Sequence, residues 1–122
     1  MVCAEIRKFV VADEFETAER CFITEVANDP DNETVSIARA RVEPGITTAW
    51  HKLRGVSERY LIVSGQGLAE IGELKATSVS TGDVVCIPPD TPQRITNIGK
   101  DDLIFFAVCS PRFTPDCYLC LE

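Results

Sequence analysis

Apolar residues along this chain alternate with polar ones far more often than they recur at helical spacing. Segments 20–26, 34–42, 50–53, 58–64, 68–71, 75–79, 84–87, 93–97 and 103–109 each read as a short strand, rich in β-branched, aromatic and alternating apolar positions. Turn signals separate them: Asn28-Asp29-Pro30-Asp31-Asn32, Pro44-Gly45, Gly82-Asp83, the three-proline loop Pro88-Pro89-Asp90-Thr91-Pro92, and Gly99-Lys100-Asp101-Asp102. Gly65-Gln66-Gly67 is expected to close a hairpin between 58–64 and 68–71. The run 84–87 is apolar throughout and is expected at the centre of a sheet. Only 13–20 carries helical spacing, enough for a turn or two capped by Asp13. About nine short strands and little helix predict an all-β domain of two packed sheets or a closed barrel, with 20–26 as the candidate edge.

The chain has 122 residues, which fits one domain. No run approaches the roughly 18–20 apolar residues of a membrane span, and segment 1–9 does not read as a secretory signal, so the expected compartment is the cytoplasm. The formal net charge is −7, from 12 basic and 19 acidic residues without basic clusters, which argues against a nucleic-acid or anionic-membrane partner. Six cysteines in such a chain are expected as thiols, with Cys86 and Cys109 as small core residues. Cys117 and Cys120 form a C-x-x-C. A redox pair or half a zinc site is the alternative to plain thiols there, but no βαβ pattern precedes it and His51, the sole histidine, is far away in sequence.

Two segments carry a more specific signal. Gly45 is followed by five residues, His51, one residue, Leu53, four residues, Glu58, six residues and Gly65. Gly82 is followed by five residues, Pro88, one residue, Asp90, two residues, Gln93, three residues and Asn97. In spacing these resemble the paired signatures of the cupin superfamily and cover about a third of the chain. The resemblance implies a jelly-roll barrel, or double-stranded β-helix, over 20–110. An extension over 1–19 would hold a strand or short helix, and a tail over 111–122 would pack on the barrel. It also implies a homodimer paired through edge strands. In metal-binding cupins three histidines and a glutamate hold the ion. Here Leu53 stands at one histidine position and Gln93 at another, leaving His51, Glu58 and Gln93 as the implied donors for a divalent Mn, Fe or Zn ion.

Strand alternation adds an independent constraint, because side chains two apart share a face. If His51 faces inward, so does Leu53; if Glu58 does, so do Tyr60 and Ile62; and Gln93 shares its face with Ile95 and Asn97. An interior of Leu53, Tyr60 and Ile95 around three polar groups has the makings of a small-molecule pocket. Three readings follow for its chemistry. His51, Glu58 and Gln93 hold a metal weakly; or Glu58 and His51 act as an acid–base pair on a sugar or ketone oriented by Gln93; or the three form a satisfied polar core. The corresponding functions are a small-metabolite enzyme of isomerase or oxygenase type, acting on a carbohydrate or oxo acid, and a non-catalytic binding or sensor domain that has lost its metal. Arg59, Arg94 and Trp50 have outward parity, and Trp50 is a candidate dimer contact.

Overall fold

The computed structural model describes residues 3–122. Eleven strands follow one another: β1 (Phe15–Glu16), β2 (Phe22–Ala27), β3 (Ser36–Val42), β4 (His51–Leu53), β5 (Ser57–Ser64), β6 (Gln66–Ile71), β7 (Thr77–Ser80), β8 (Val84–Ile87), β9 (Gln93–Asn97), β10 (Leu103–Ser110) and β11 (Tyr118–Cys120). One sheet has the order β1-β2-β3-β10-β5-β8 and the other β11-β4-β9-β6-β7, and every pairing between strands is antiparallel. Strands adjacent in sequence repeatedly fall in opposite sheets, so the chain winds around the core and forms a double-stranded β-helix.

The inward set matches the alternation. Glu58, Tyr60 and Ile62 are buried on β5 while Arg59, Leu61 and Val63 are exposed; Gln93, Ile95 and Asn97 are buried on β9; His51 and Leu53 are buried on β4. Ile62 from one sheet and Ile95 from the other belong to one apolar cluster with Val42, Leu103 and Phe105. Each such buried side chain contributes about 1.5–3 kcal/mol through removal from water. Asn97 anchors this end. Its amide donates to Val42 O and Asp101 O, both at 2.8 Å, and its Oδ1 accepts from the Gly99 N–H at 2.9 Å. A smaller cluster of Leu53, Val56, Cys109 and Cys117 lies under Phe113 and Tyr118 of the tail. The barrel is thus solid at one end and roofed by the tail at the other.

Four expectations are corrected by the structure. Segment 13–20 is not helical. A 3-10 turn covers Val11–Asp13, β1 follows, and Arg20 adopts a left-handed φ of 69° that no helix continues through. Thr17 instead turns the chain back, its N–H and hydroxyl both bonding Cys21 O. The 20–26 segment is realised as β2, whose first residues are covered by β1, the true edge of that sheet. Val84–Ile87 is not central but forms the opposite edge, so Val84 is 53% exposed and Cys86 faces solvent. Tyr118–Cys120 of the tail form β11, paired with β4. Residues 1 and 2 of the 1–19 extension lie outside the described residues.

Gly65 is the fourth correction. β5 and β6 do not pair as a hairpin; at Gly65 the chain crosses from one sheet to the other. Its φ is +90°, and a Cβ there would sit 2.6 Å from Asp102 O and 2.9 Å from Leu103 Cα, both backbone atoms that cannot swing aside. Gly65→Ala is therefore expected to destabilise the fold by about 3 kcal/mol, read as a lowered denaturant midpoint. Gly45→Ala, whose Cβ would meet nothing within 4 Å, should cost clearly less despite its φ of +79°.

Candidate functional site

Between the two apolar clusters the barrel is hollow. A cavity of about 160 Å³ is lined by residues of β1 to β5, β10 and β11 and of the segments joining β1 to β2, β3 to β4 and β10 to β11. Its polar side chains include Glu19, Thr48, His51, Glu58, Tyr60 and Tyr118; its apolar walls include Phe15, Ile23, Leu53, Phe105 and Phe113.

His51 is buried, and its Nδ1 lies 2.7 Å from Ala49 O. A carbonyl only accepts, so Nδ1 carries a proton and donates it. Tyr118 stacks on the ring at a centroid distance of 4.8 Å and an interplanar angle of 19°. Glu19 Oε2 stands 3.8 Å from Nδ1. The neighbouring backbone is clasped to the tail: the Trp50 N–H donates to Glu122 Oε2 at 2.8 Å, and the same carboxylate pairs with Arg20. That double engagement, led by Arg20, pulls the Glu122 carboxyl down to about 2.

Glu58 lies on β5, 7% exposed. Its Oε2 faces the Cys109 thiol at 3.6 Å, and its Oε1 has no hydrogen-bond partner. Burial pushes the carboxyl up to about 7; the Gln93 amide and Cys109 beside it pull weakly the other way, and the charge of Glu19 pushes it up further. Glu58 is thus shared between acid and anion near neutrality. Tyr60, on the same face, donates its hydroxyl to Gln93 Oε1, and burial holds its proton firmly in place. Burial likewise raises the Cys21 and Cys109 thiols, so neither is a thiolate nucleophile near neutrality.

Gln93 sits directly across from His51 on β9. It is fully buried and belongs to the wall behind the cavity lining. This bears on any metal. The amide oxygen, the atom an ion would use, already accepts the Tyr60 hydroxyl, and the amide nitrogen is not a ligand. Leu53 fills the neighbouring position with an aliphatic side chain. Among the described residues no three His, Cys, Asp or Glu side chains gather at ligand spacing. The donor set does not fit a resident ion.

Of the residues singled out in the sequence, His51, Leu53, Glu58 and Tyr60 line the cavity, Gln93 braces Tyr60 from behind, and Ile95 lies in the packed cluster at the solid end. Arg59 is exposed, and Arg94 is turned outward into a paired bond with Glu70, over the Trp50 ring. Glu19 and Tyr118 were not anticipated. Glu19 lies in the turn between β1 and β2 and Tyr118 on the tail strand β11, and nothing in their local spacing marks them. Cys117 is buried and Cys120 exposed, and all six cysteines are free thiols.

Comparison with known proteins agrees with this architecture. A crystal structure of a conserved protein with a double-stranded β-helix domain from Klebsiella pneumoniae superposes with a TM-score of 0.78 at 19% identity, covering 97% of this chain and 99% of that one. Pac13, a nucleoside dehydratase, reaches 0.77 at 18% identity over 97% and 92%. A predicted oxalate decarboxylase from Thermotoga maritima reaches 0.68 at 27% identity over 75% and 80%. In sequence, the uncharacterized protein MJ1618 of Methanocaldococcus jannaschii is 37% identical over 79 residues, and the match spans 65% of this chain and 62% of that relative's length. The model of the cupin domain matches residues 38–109, more than half the chain, and with the fold it implies present strand by strand, this chain belongs to the cupin family.

Proposed function

We propose that this cupin catalyses proton transfer, an isomerisation or dehydration, on a small hydroxylated carbonyl compound without a resident metal. One observation carries the reading: an imidazole whose Nδ1 donates to Ala49 O, so that Nε2 is the nitrogen left to act as base, and a buried carboxyl raised to about 7 line the same partly enclosed cavity. A general acid–base pair needs two such groups together. In the forward step His51 Nε2 removes a proton from the carbon beside the carbonyl, and Glu58 delivers its proton to the carbonyl oxygen. The electron pair of the broken C–H bond becomes the enol double bond. Return of the His51 proton to the former carbonyl carbon, with the neighbouring hydroxyl giving its proton back to Glu58, isomerises the substrate; alternatively the enol hydroxyl returns its proton to Glu58, the carbonyl re-forms and the β-hydroxyl leaves as water with the His51 proton, which dehydrates it. Tyr60, held by Gln93, fixes the wall against which the substrate rests. The dehydratase activity of the structurally similar Pac13 supports this class of chemistry on the fold.

Size and charge narrow the substrate. A closed cavity of about 150 Å³ holds a benzene-sized guest, so about 160 Å³ suits the reacting end of a three- to six-carbon molecule. Among the described residues the lining has no Lys or Arg. A free carboxylate or phosphate would face Glu19 and Glu58 uncompensated, which favours a sugar-like substrate over an oxo acid.

Two outcomes are expected. In deuterium oxide, a panel of three- to six-carbon hydroxyaldehydes and hydroxyketones, with and without an amino group, should show catalysed exchange at carbon by proton NMR. His51→Ala and Glu58→Gln should each lower that rate by about 10²–10⁴-fold, EDTA treatment should leave it unchanged, and the rate should fall above about pH 7 as Glu58 loses its proton. Equal exchange in the wild type and both variants would defeat the proposal.

Stability gives a second test. The folded carboxyl binds its proton more tightly than the unfolded one, whose ordinary value is 4.5. Between about pH 4.5 and 7 the native state therefore holds more protons, and its stability falls as pH rises. Glu58→Gln removes this dependence. Relative to wild type, the variant should gain about 3 kcal/mol in denaturant unfolding between pH 4.5 and 8.

A further inference from the structure

Resting on the acid–base reading of this site, we propose that the cavity selects a substrate bearing a positively charged ammonium group, with Glu19 as its anchor. The lining carries Glu19, Glu58 and, at the rim, Glu25, against His51 as the one titratable nitrogen base among the described lining residues. Glu58 is more than nine-tenths buried and its Oε1 has no partner; Glu19 Oε2 is also buried and unpartnered. None of the arginines on the surrounding elements is among the lining residues. Arg20 holds Glu122 and Thr47 O, Arg41 holds Glu14, and Arg112 holds Asn28 and Phe113 O. No lysine or arginine lines the cavity, and the basic group beside the acidic lining is His51, whose Nδ1 lies 3.8 Å from Glu19 Oε2.

The walls fit the same guest. Phe15, Phe105 and Phe113 add rings to those of Tyr60 and Tyr118 around the space, and aromatic faces attract an ammonium group through their quadrupole. Buried carboxylate oxygens without partners and aromatic walls both favour a cation and disfavour an anion. Glu19 projects from the turn between β1 and β2, whereas Glu58 lies deep on β5. The ammonium end would be held at Glu19 while the carbonyl end reaches Glu58 and His51.

A charge series on one carbon skeleton tests this by calorimetric titration of the full chain: 3,3-dimethylbutylammonium, choline, 3,3-dimethylbutan-1-ol and 3,3-dimethylbutanoate. At least one of the two cations should bind ten-fold or more tighter than the alcohol, and the carboxylate should bind weakest. Glu19→Gln should erase the preference for the cation while the alcohol still binds as it does to wild type. If neither cation outcompetes the alcohol on the wild-type protein, the ammonium proposal falls whatever the variant does. The deuterium-exchange panel separates the two readings. Exchange confined to substrates without an amino group would overturn the ammonium anchor and leave the acid–base pair standing. Cation preference without any exchange would do the reverse.

Discussion

The hydrogen bond from the Tyr60 hydroxyl to Gln93 Oε1 ties the two sheets together behind the cavity. It also decides what the cavity can do. By engaging one lone pair of the amide oxygen it competes with any ion for the donor that β9 offers, and it makes Gln93 a brace between the sheets. The other half of the amide lies beside Glu58, whose Oε1 still lacks a full partner. The result is a buried carboxyl with too little help to hold its charge well, and its pKa is raised to about 7. A histidine at position 93 would bring an imidazole to the same wall and reverse this logic.

Much of the barrel was legible because its strands obey a period of two. β5 shows this most plainly, with Glu58, Tyr60 and Ile62 inward and Arg59, Leu61 and Val63 outward, as their positions dictate. What periodicity does not carry is which strand pairs with which. The apolar run at Val84–Ile87 looks central, yet β8 pairs only with β5, and its exposed face is as apolar as its buried one. The glycines flanking Gln66 look like a hairpin, yet the constraint on Gly65 is the close passage of the Asp102–Leu103 backbone, a contact across the fold that local spacing does not contain.

The site was legible to a similar depth. His51 and Glu58 stand where paired spacings put them, because β4 and β5 are regular enough for parity to be read. Glu19 and Tyr118 were not, since they reach the cavity from the turn after β1 and from the tail strand, whose positions are set by tertiary contacts. Arg20 and Glu122, remote in sequence, hold those two segments together at the surface. The clasp is exposed and contributes little to global stability, but it lies next to the backbone of Trp50 and so to the ring of His51.

The hollow end therefore carries a cost that the solid end offsets. Filling the cavity with apolar side chains and neutralising Glu58 would make a more stable barrel by ordinary packing arguments. A chain with no use for the space would lose nothing by doing so. Instead, one end is packed around Ile62, Ile95 and Leu103 and pinned by the three bonds of Asn97, while the other keeps a buried carboxyl, raised to about 7, in the same cavity as the His51 imidazole. Close packing and the proposed acid–base site are divided between the two ends of one barrel. The division follows from where β9 places its residues: Ile95 and Asn97 toward the solid end, and Gln93 at the boundary, bonded to the tyrosine that lines the cavity.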